Sequence, residues 1–338
     1  MEALKKNIQV QKWVAVLSVM LLAVKLIAFY ITNSVAILTD ALEGIVNVVA
    51  GFLGLYSLYV SAKPRDADHP YGHGKIEFIS AAVEGVMIFV AGILIIIEAV
   101  GNLITPREIL ELDFGIILIA ITAIINFAVG TICVRTGKKN NSVALQASGK
   151  HLQSDTYTTL GVLAGLLLLY LTGLNWIDGV VALLFSLVIL YTGFKIIRTS
   201  VAGIMDERDL ALLKQLIEGL DKNRSKNWVD LHNLRIIKYG SVLHIDCHMT
   251  VPWYLNVHEA HSEIDKLGTI IRDQFGSSIE FFVHTDGCLP IGCPICIKDD
   301  CPVRHHVFEK RIHWTVENVE QNEKHQLTLG SSPEARMK

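Results

Sequence analysis

The chain has 338 residues, of which 51% are hydrophobic and 19% charged, with a mean hydropathy of +0.42 and a formal net charge of −3. Only 27 of the charged residues precede residue 206, so the first part is too apolar for a soluble domain and the rest is too charged to span a membrane. These values exclude a purely soluble enzyme, a disordered chain and a fibrous repeat, and the near-neutral balance gives no reason to expect nucleic acid as a partner.

Six apolar runs are each long enough to cross a bilayer, which takes about 20 residues. None of them contains a proline, and the first has no small-residue cleavage site after it, so we interpret it as a retained helix. Residues 1–12 then form an N-terminal segment and residues 13–205 a six-span domain. The predicted spans are 13–32, 36–60, 78–101, 114–134, 152–172 and 177–197.

Basic residues alternate between the connections and so predict the orientation. They precede the first span, lie in every second connection and end the sixth span: Lys5, Lys6, Lys12, Lys63, Arg65, Lys75, Arg135, Lys138, Lys139, Lys150, Lys195 and Arg198. The other connections contain one basic residue, Arg107, beside Glu108, Glu111 and Asp113. The positive-inside rule therefore predicts a multi-pass protein of the cell (inner) membrane with both termini in the cytoplasm.

Polar residues inside two of the spans are candidates for function, because a charge at the centre of the hydrocarbon costs about 2.5–3.5 kcal/mol on insertion scales. In the second span, Asp40, Glu43 and Asn47 are three and four residues apart and share a helical face. The fifth span begins HLQSD, in which His151 and Asp155 are four apart. Two such pairs could close a four-ligand site for a divalent ion such as Zn²⁺. The alternative is that each pair caps a helix or lines a water-filled cavity.

The connection after the second span reads KPRDADHPYGHGK. Asp66, His69 and His73 lie within eight residues of one another there, which suggests a short metal-binding turn. The alternative is a polar turn whose glycines permit the backbone geometry.

After residue 205 the pattern changes to that of a small cytoplasmic α/β domain over 206–287. It predicts a helix at 207–220, a hairpin of strands 231–239 and 242–251 closed at Gly240–Ser241, a helix at 257–275 and a strand at 279–285. This αββαβ order predicts an open, ferredoxin-like or heavy-metal-domain-like sheet with helices on one face. Ten of the 13 histidines follow residue 230, which suggests one or two metal sites, unless they line a solvated face. The grouped residues are His244, Asp246, His248, His258, His261, Asp265, His284 and Asp286.

Four of the six cysteines crowd into a Cys/His-rich extension over 288–320. Cys288, Cys293, Cys296 and Cys301 are followed by His305 and His306, a ligand set suited to a closed zinc site or to an iron–sulfur cluster. Disulfides are not expected in a reducing cytoplasm. From residue 321 to 338 the polar, irregular composition predicts a disordered tail.

This constellation resembles the cation diffusion facilitator family of divalent-metal/proton antiporters over roughly residues 10–286. The resemblance rests on TDALEGIVN, HPYGHGK, HLQSD and the histidine-bearing domain. It implies a transport site at Glu43, Asn47, His151 and Asp155. Glu43 and Asn47 depart from the family's usual pair in the second span, which is His or Asp followed by Asp. The site therefore has one carboxylate fewer, and Asp40 is a candidate to supply the missing charge.

The resemblance further implies a loop site at Asp66, His69 and His73, and a homodimeric cytoplasmic domain. Its metal sites in that domain are implied at His232, His248, His261, His284 and Asp286. The cysteine-rich extension is outside the family's general pattern.

The leading hypothesis is a secondary transporter, not an enzyme, that exports a divalent cation in exchange for protons. Zn²⁺ is the first expectation, with Fe²⁺, Mn²⁺ and Co²⁺ as alternatives. Protonation of His151 on the proton-rich side would remove a lone pair that the metal needs. A second hypothesis is a membrane-anchored metal sensor or store that acts through the C-terminal His and Cys sites. An intramembrane metalloenzyme has no support, since no HExxH motif occurs in the spans.

Overall fold

A computed structural model describes residues 2–105, 112–140, 142–174, 176–240, 242–276 and 278–327. Arg107, Glu108 and Glu111 of the orientation argument, Ser241 of the hairpin turn and the tail from 328 onward lie outside the described residues. The chain divides into two compact units, one of residues 1–206 with 239–241 and one of the remainder.

The first unit contains six long helices, each apolar and long enough to cross a membrane. They are α1 (Glu2–Thr32), α2 (Val35–Ser61), α3 (Ile76–Ile104), α4 (Leu112–Lys139), α5 (Val143–Thr172) and α6 (Trp176–Ile204). All six predicted spans are therefore present. Each helix is longer than its predicted apolar run, because polar residues beyond the run also make helical backbone hydrogen bonds.

Helix α5 begins nine residues before the predicted start at Leu152. The side chain of Ser142 accepts a hydrogen bond from the backbone N–H of Leu145 at 3.3 Å and so caps the helix there. His151 and Asp155 consequently lie in the third and fourth turns of α5, where both side chains are buried.

Small residues allow the helices to approach closely. A Cβ on Gly161 would lie 1.6 Å from Cζ of Phe185, so only glycine lets α5 pack under that ring of α6. A Cβ on Gly193 would lie 2.8 Å from the backbone nitrogen of Phe89, which brings the backbones of α6 and α3 together in the same way.

Helix α2 begins against a buried carboxylate that belongs to α6. Asp178 accepts hydrogen bonds from the Ser34 hydroxyl at 2.7 Å and from the backbone N–H groups of Val35 and Ala36 at 2.9 and 3.2 Å. Asn102 of α3 donates a fourth at 3.3 Å. A carboxylate at a helix N-terminus is also favoured by the helix dipole, so one side chain joins three helices.

The second unit has the element order predicted from the sequence. Its elements are α7 (Leu210–Lys222), β1 (Asp230–Tyr239), β2 (Val242–Val251), α8 (Val257–Phe275), β3 (Ile279–Gly287), a 3-10 helix (Pro290–Ile295) and α9 (Val316–Val319). The sheet order is β1-β2-β3, and β2 pairs with β3 in parallel, with His248 opposite His284 and Thr250 opposite Asp286. The predicted bounds of α8 are those observed, since Asn256 and Glu259 form a capping box at its start.

One hydrophobic core joins both helices to the sheet. Leu216 of α7 and Leu267 of α8 pack with Ile245, Cys247 and Met249 of β2, so the helices cover one face, as predicted. The alternate residues of β2 point to the other face. Asn233 in β1 has a φ of 53°, in the left-handed region, and this irregular residue allows both Leu231 and Leu234 to reach the core.

The segment after β3 belongs to this second domain and is not a separate extension. Trp314, Val316 and Val319 are buried in the same core. The guanidinium of Arg224 lies 4.3 Å from the Trp314 ring centroid and donates to the carbonyl of Ile312 at 2.9 Å. The domain boundary predicted between residues 287 and 288 is therefore wrong, because Trp314, Val316 and Val319 of the following segment complete the core of the same domain.

The disordered tail predicted from residue 321 also needs correction for its first seven residues. The backbone N–H of Asn233 donates to the carbonyl of Gln321 at 2.7 Å, and that of His325 donates to Asp230 at 3.0 Å. Residues 321–327 thus lie along β1, held by a backbone hydrogen bond and by the Asp230 carboxylate, neither of which their polar composition reveals.

We expect Asp178→Ala to lower the free energy of unfolding of the detergent-solubilised protein by about 3 kcal/mol, because four buried donors lose their acceptor. Thr172→Ala is the control, since that exposed hydroxyl has only local contacts: it donates to the Leu168 carbonyl and accepts from the backbone N–H of Leu174. Thermal unfolding followed by fluorescence measures both. Equal midpoints for the two variants would contradict the role given to Asp178.

Candidate metal sites

The polar residues predicted in the second and fifth spans come together inside the six-helix unit. Glu43, Asn47, His151 and Asp155 are all at most 6% exposed. The Asn47 amide donates a short hydrogen bond to Asp155, and Nδ1 of His151 lies 3.4 Å from the other oxygen of Asp155. Glu43 stands slightly apart and accepts a hydrogen bond from Thr158 at 3.3 Å.

Two atoms of this intramembrane cluster are buried without a hydrogen-bond partner, the Nε2 of His151 and the Oδ1 of Asn47. Such orphaned atoms are uncommon in a buried site, and both are atoms that bind metals. The cluster borders a small pocket lined by Glu43, His151, Asp155 and Thr158. Among the described residues, however, the ligand atoms of Glu43, His151 and Asp155 do not all lie within 4.8 Å of one another.

Asp40 has a different partner from the one that its helical face suggested. The ammonium of Lys25, which is fully buried on α1, lies 3.0 Å from Oδ1 of Asp40 and donates to its backbone carbonyl at 3.2 Å. The hydroxyl of Thr159 donates to the same carboxylate oxygen at 2.7 Å. The charge of Asp40 is thus neutralised by a lysine and is not free to replace a carboxylate missing from the cluster.

The connection between α2 and α3 forms a second group, the loop triad of Asp66, His69 and His73. One ligand atom from each lies within 4.8 Å of the others. Nδ1 of His69 is 3.0 Å and Nε2 of His73 is 3.4 Å from the Asp66 carboxylate. The hydrogen bond from His69 holds the pKa of Asp66 below its ordinary value, so the carboxylate is ionised at neutral pH.

The C-terminal domain brings together a third group, the sheet triad of His232, His248 and Asp286, again with ligand atoms within 4.8 Å. His232 and His248 lie 3.7 and 3.6 Å from one oxygen of Asp286. His284 lies 3.6 Å from the other oxygen. Burial and the neighbouring rings of His232 and His284 lower the pKa of His248, which keeps its imidazole neutral and able to bind a metal.

His261, predicted in the same set, is not part of this group within one chain. It lies on α8 with its side chain 70% exposed, 3.8 Å from Asp265. The physical reason is the packing of α8, which directs Leu267 and Ile271 to the sheet and leaves His261 to the solvent.

Two residues behind the sheet triad were not identified from the sequence. Nδ1 of His232 lies 3.3 Å from Asp230, and the ring of His325 contacts the other oxygen of Asp230. Burial opposes ionisation of Asp230, but the hydrogen bonds from His232 and His325 outweigh it and hold its pKa well below the ordinary value. A carboxylate behind a metal-binding histidine fixes the ring and raises its basicity. The only sequence signal for this arrangement was the DLH tripeptide at the start of β1.

The four C-terminal cysteines line a fourth location, the thiol pocket, formed by Cys288, Cys293, Cys296 and Cys301 together with His305. All four are free thiols, so no disulfide forms among them. Burial raises the pKa of Cys288, and the nearby sulfurs of the other three act in the same direction.

Comparison with known proteins identifies the fold that carries these sites. The cation efflux transmembrane domain model matches residues 12–205, and the model of the cytoplasmic domain of cation efflux proteins matches residues 214–288. The chain belongs to the cation diffusion facilitator family. It is therefore a multi-pass membrane protein of a family that transports divalent metals.

Similar proteins in this family include bacterial transporters. An uncharacterised transporter of Synechocystis is 34% identical over 76% of this chain and 83% of its own length. The cation-efflux pump FieF of Shewanella oneidensis is 25% identical over 79% and 89%. The manganese efflux system protein MneS of Bacillus subtilis is 27% identical over 75% and 86%. Cys293, Cys296 and Cys301 lie beyond the matched cation diffusion facilitator domains, which end at residue 288.

The pair of Lys25 and Asp40 can be tested by a double-mutant cycle in this cation diffusion facilitator. We expect Lys25→Met and Asp40→Asn each to destabilise the six-helix unit by about 3–5 kcal/mol, because each leaves a buried partner unpaired. The double variant should be less destabilised than the sum of the two, as measured by unfolding in detergent. Additive effects would mean that the two groups do not interact.

The role of Asp230 can be tested by metal titration against a chelating dye. We expect Asp230→Asn to weaken Zn²⁺ binding at the sheet triad on the order of 10–100-fold, because the ring of His232 loses its orienting carboxylate. Asp265→Asn, beside the exposed His261, should leave affinity unchanged. A wild-type affinity for Asp230→Asn would show that this carboxylate does not support the site.

Proposed function

We propose that this cation diffusion facilitator exports Zn²⁺ from the cytoplasm in exchange for protons. The observation that carries this proposal is the buried intramembrane cluster of Glu43, Asn47, His151 and Asp155, with the Nε2 of His151 and the Oδ1 of Asn47 lacking partners. Polar side chains held at this depth in apolar helices are costly unless they pair with one another or line the path of a substrate. Both open atoms are of types that coordinate divalent cations.

The chemistry of the cluster favours a first-row transition metal over a hard cation. An imidazole nitrogen and two carboxylates suit Zn²⁺ in a four-ligand site, with the amide oxygen of Asn47 as the fourth donor. The amide in place of a carboxylate makes the site less negative and leaves Fe²⁺, Mn²⁺ and Co²⁺ as the competing cargoes. The manganese efflux activity named for the Bacillus relative makes Mn²⁺ the most informative competitor.

Proton exchange follows from competition for the same lone pairs. A metal binds neutral imidazole and ionised carboxylate, so protons that reach His151 and Asp155 displace it. Movement of α2 against α5 would bring Glu43 to the other ligands when the ion binds and withdraw it on release. That movement is the alternating step of the proposed transport cycle.

The remaining sites fit a regulatory role on the cytoplasmic side. The basic residues beside the loop triad, Lys63, Arg65 and Lys75, support a cytoplasmic location for that connection and for both termini under the positive-inside rule. The loop triad would capture incoming metal there. The sheet triad would bind metal within a homodimer in the cell (inner) membrane and stabilise the pairing of the two chains.

Transport is tested in proteoliposomes with a metal gradient and a pH-sensitive dye inside. We expect Asp155→Ala to abolish both metal uptake and the coupled proton signal, because Asp155 contacts two other members of the cluster. Asp113→Ala, the same substitution at an exposed position at the start of α4, should keep both. Undiminished flux in Asp155→Ala would reject this transport site.

The same assay separates the carrier from a membrane-anchored sensor or store, which would bind metal without flux. It also identifies the cargo when Zn²⁺, Mn²⁺, Fe²⁺ and Co²⁺ are compared. Removal of residues 288–338 is a poor substitute for this comparison, because it deletes Trp314, Val316 and Val319 from the core of the C-terminal domain.

A further inference from the structure

The cysteines of the thiol pocket follow the sheet triad along the chain of the C-terminal domain. Apolar residues complete its wall, among them Trp253, Pro290 and Val303. Among the described residues, no carboxylate lines it. The two acidic residues of the cysteine segment instead form ion pairs, Asp299 with Lys226 and Asp300 with Lys298, each at 2.9 Å. The groups facing the pocket that can bind a metal are therefore thiols and His305.

The backbone around the thiols is held in place by Arg304. Its guanidinium donates to the carbonyls of Cys293 and Cys296, both at 3.0 Å, and to that of Lys298. The backbone N–H of Cys296 donates to the carbonyl of Cys293 at 3.2 Å, which closes a tight turn between the two cysteines. Arg304 is partly buried, and its hydrogen bonds together with the closed turn fix the backbone that carries Cys293 and Cys296.

The first cysteine is held by the sheet. The backbone N–H of Cys288 donates to the carbonyl of Val251, the last residue of β2, at 2.8 Å. The pocket is thus anchored to the end of β2 on one side and to Arg304 on the other.

The distances between the sulfurs separate two kinds of centre. In a tetrahedral zinc site with Zn–S bonds of about 2.3 Å, the sulfurs stand about 3.8 Å apart. Among the described residues, three or more ligand atoms lie mutually within 4.8 Å only in the loop and sheet triads, so no three of these four sulfurs are that close. Thiolates that bind different iron atoms of one cluster stand further apart.

The spacing of the cysteines agrees with this distinction. Cys288, Cys293 and Cys296 follow the C-x4-C-x2-C pattern of plant-type ferredoxins, and Cys301 supplies a fourth thiol five residues further on. We infer that Cys288, Cys293, Cys296 and Cys301 bind an iron–sulfur cluster in the C-terminal domain. This cluster is a resident cofactor and does not depend on which metal the membrane domain carries.

The test is metal and sulfide analysis of the full-length protein, purified without oxygen from iron-replete cells. The expected result is iron and acid-labile sulfide in equal amounts, about two or four of each per chain, with visible absorption that bleaches on reduction. Cys293→Ala/Cys296→Ala should lose the iron, the sulfide and the absorption. Cys133→Ala, which removes a buried thiol of the membrane unit outside the pocket, should keep all three.

If the double variant does not fold, metal and sulfide analysis of the wild-type protein still tests the inference. One zinc ion per chain without sulfide would overturn it in favour of a closed zinc site. Absence of both iron and sulfide, even after incubation of the reduced protein with Fe²⁺ and sulfide, would overturn it as well.

Discussion

The depth of α2 in the membrane depends on one carboxylate that comes from α6. Asp178 meets the first N–H groups of α2 and the Ser34 hydroxyl, so α2 begins at Val35 and nowhere else. Because a helix rises about 1.5 Å per residue, that start sets the height of Glu43 and Asn47 against His151 and Asp155. Asn102 ties the same carboxylate to α3, so the polar face of α2 is positioned by contacts at the opposite end of the helix from the loop triad.

A second constraint is the neutralisation of charge inside the bundle. Asp40 and Lys25 are both buried, and their pairing leaves the neighbouring cluster with the carboxylates of Glu43 and Asp155. The hydrogen bonds of those two carboxylates come from Thr158 and Asn47, which are neutral donors. The cluster thus has two carboxylates that can act as ligands for a cation, whereas Asp40 is paired with Lys25.

The sequence predicted those features that depend on neighbours along the chain. Apolar runs located six helices, alternation located β2, and the helical spacing of His258, His261 and Asp265 located α8. Contacts between distant segments were not predictable, since no local pattern links Lys25 to Asp40 or Asp230 to His325. The same limit explains the tail, whose contacts with β1 join residues about 90 positions apart in the chain: Gln321 with Asn233, and His325 with the Asp230 carboxylate. His261 was grouped with the sheet histidines because its spacing showed a helix face but not which face packs inward.

The sheet triad has a lysine at its edge. The ammonium of Lys324 lies 3.5 Å from the Asp286 oxygen that also faces His284, and it donates to the Gly287 carbonyl at 3.4 Å. His232 and His248 of the triad face the other oxygen of Asp286. A metal ion held by these two rings and that oxygen would leave the ammonium of Lys324 in place, whereas an ion that also used the first oxygen would have to displace it. The segment that was expected to be a disordered tail therefore supplies a fixed positive charge beside one oxygen of the triad's carboxylate.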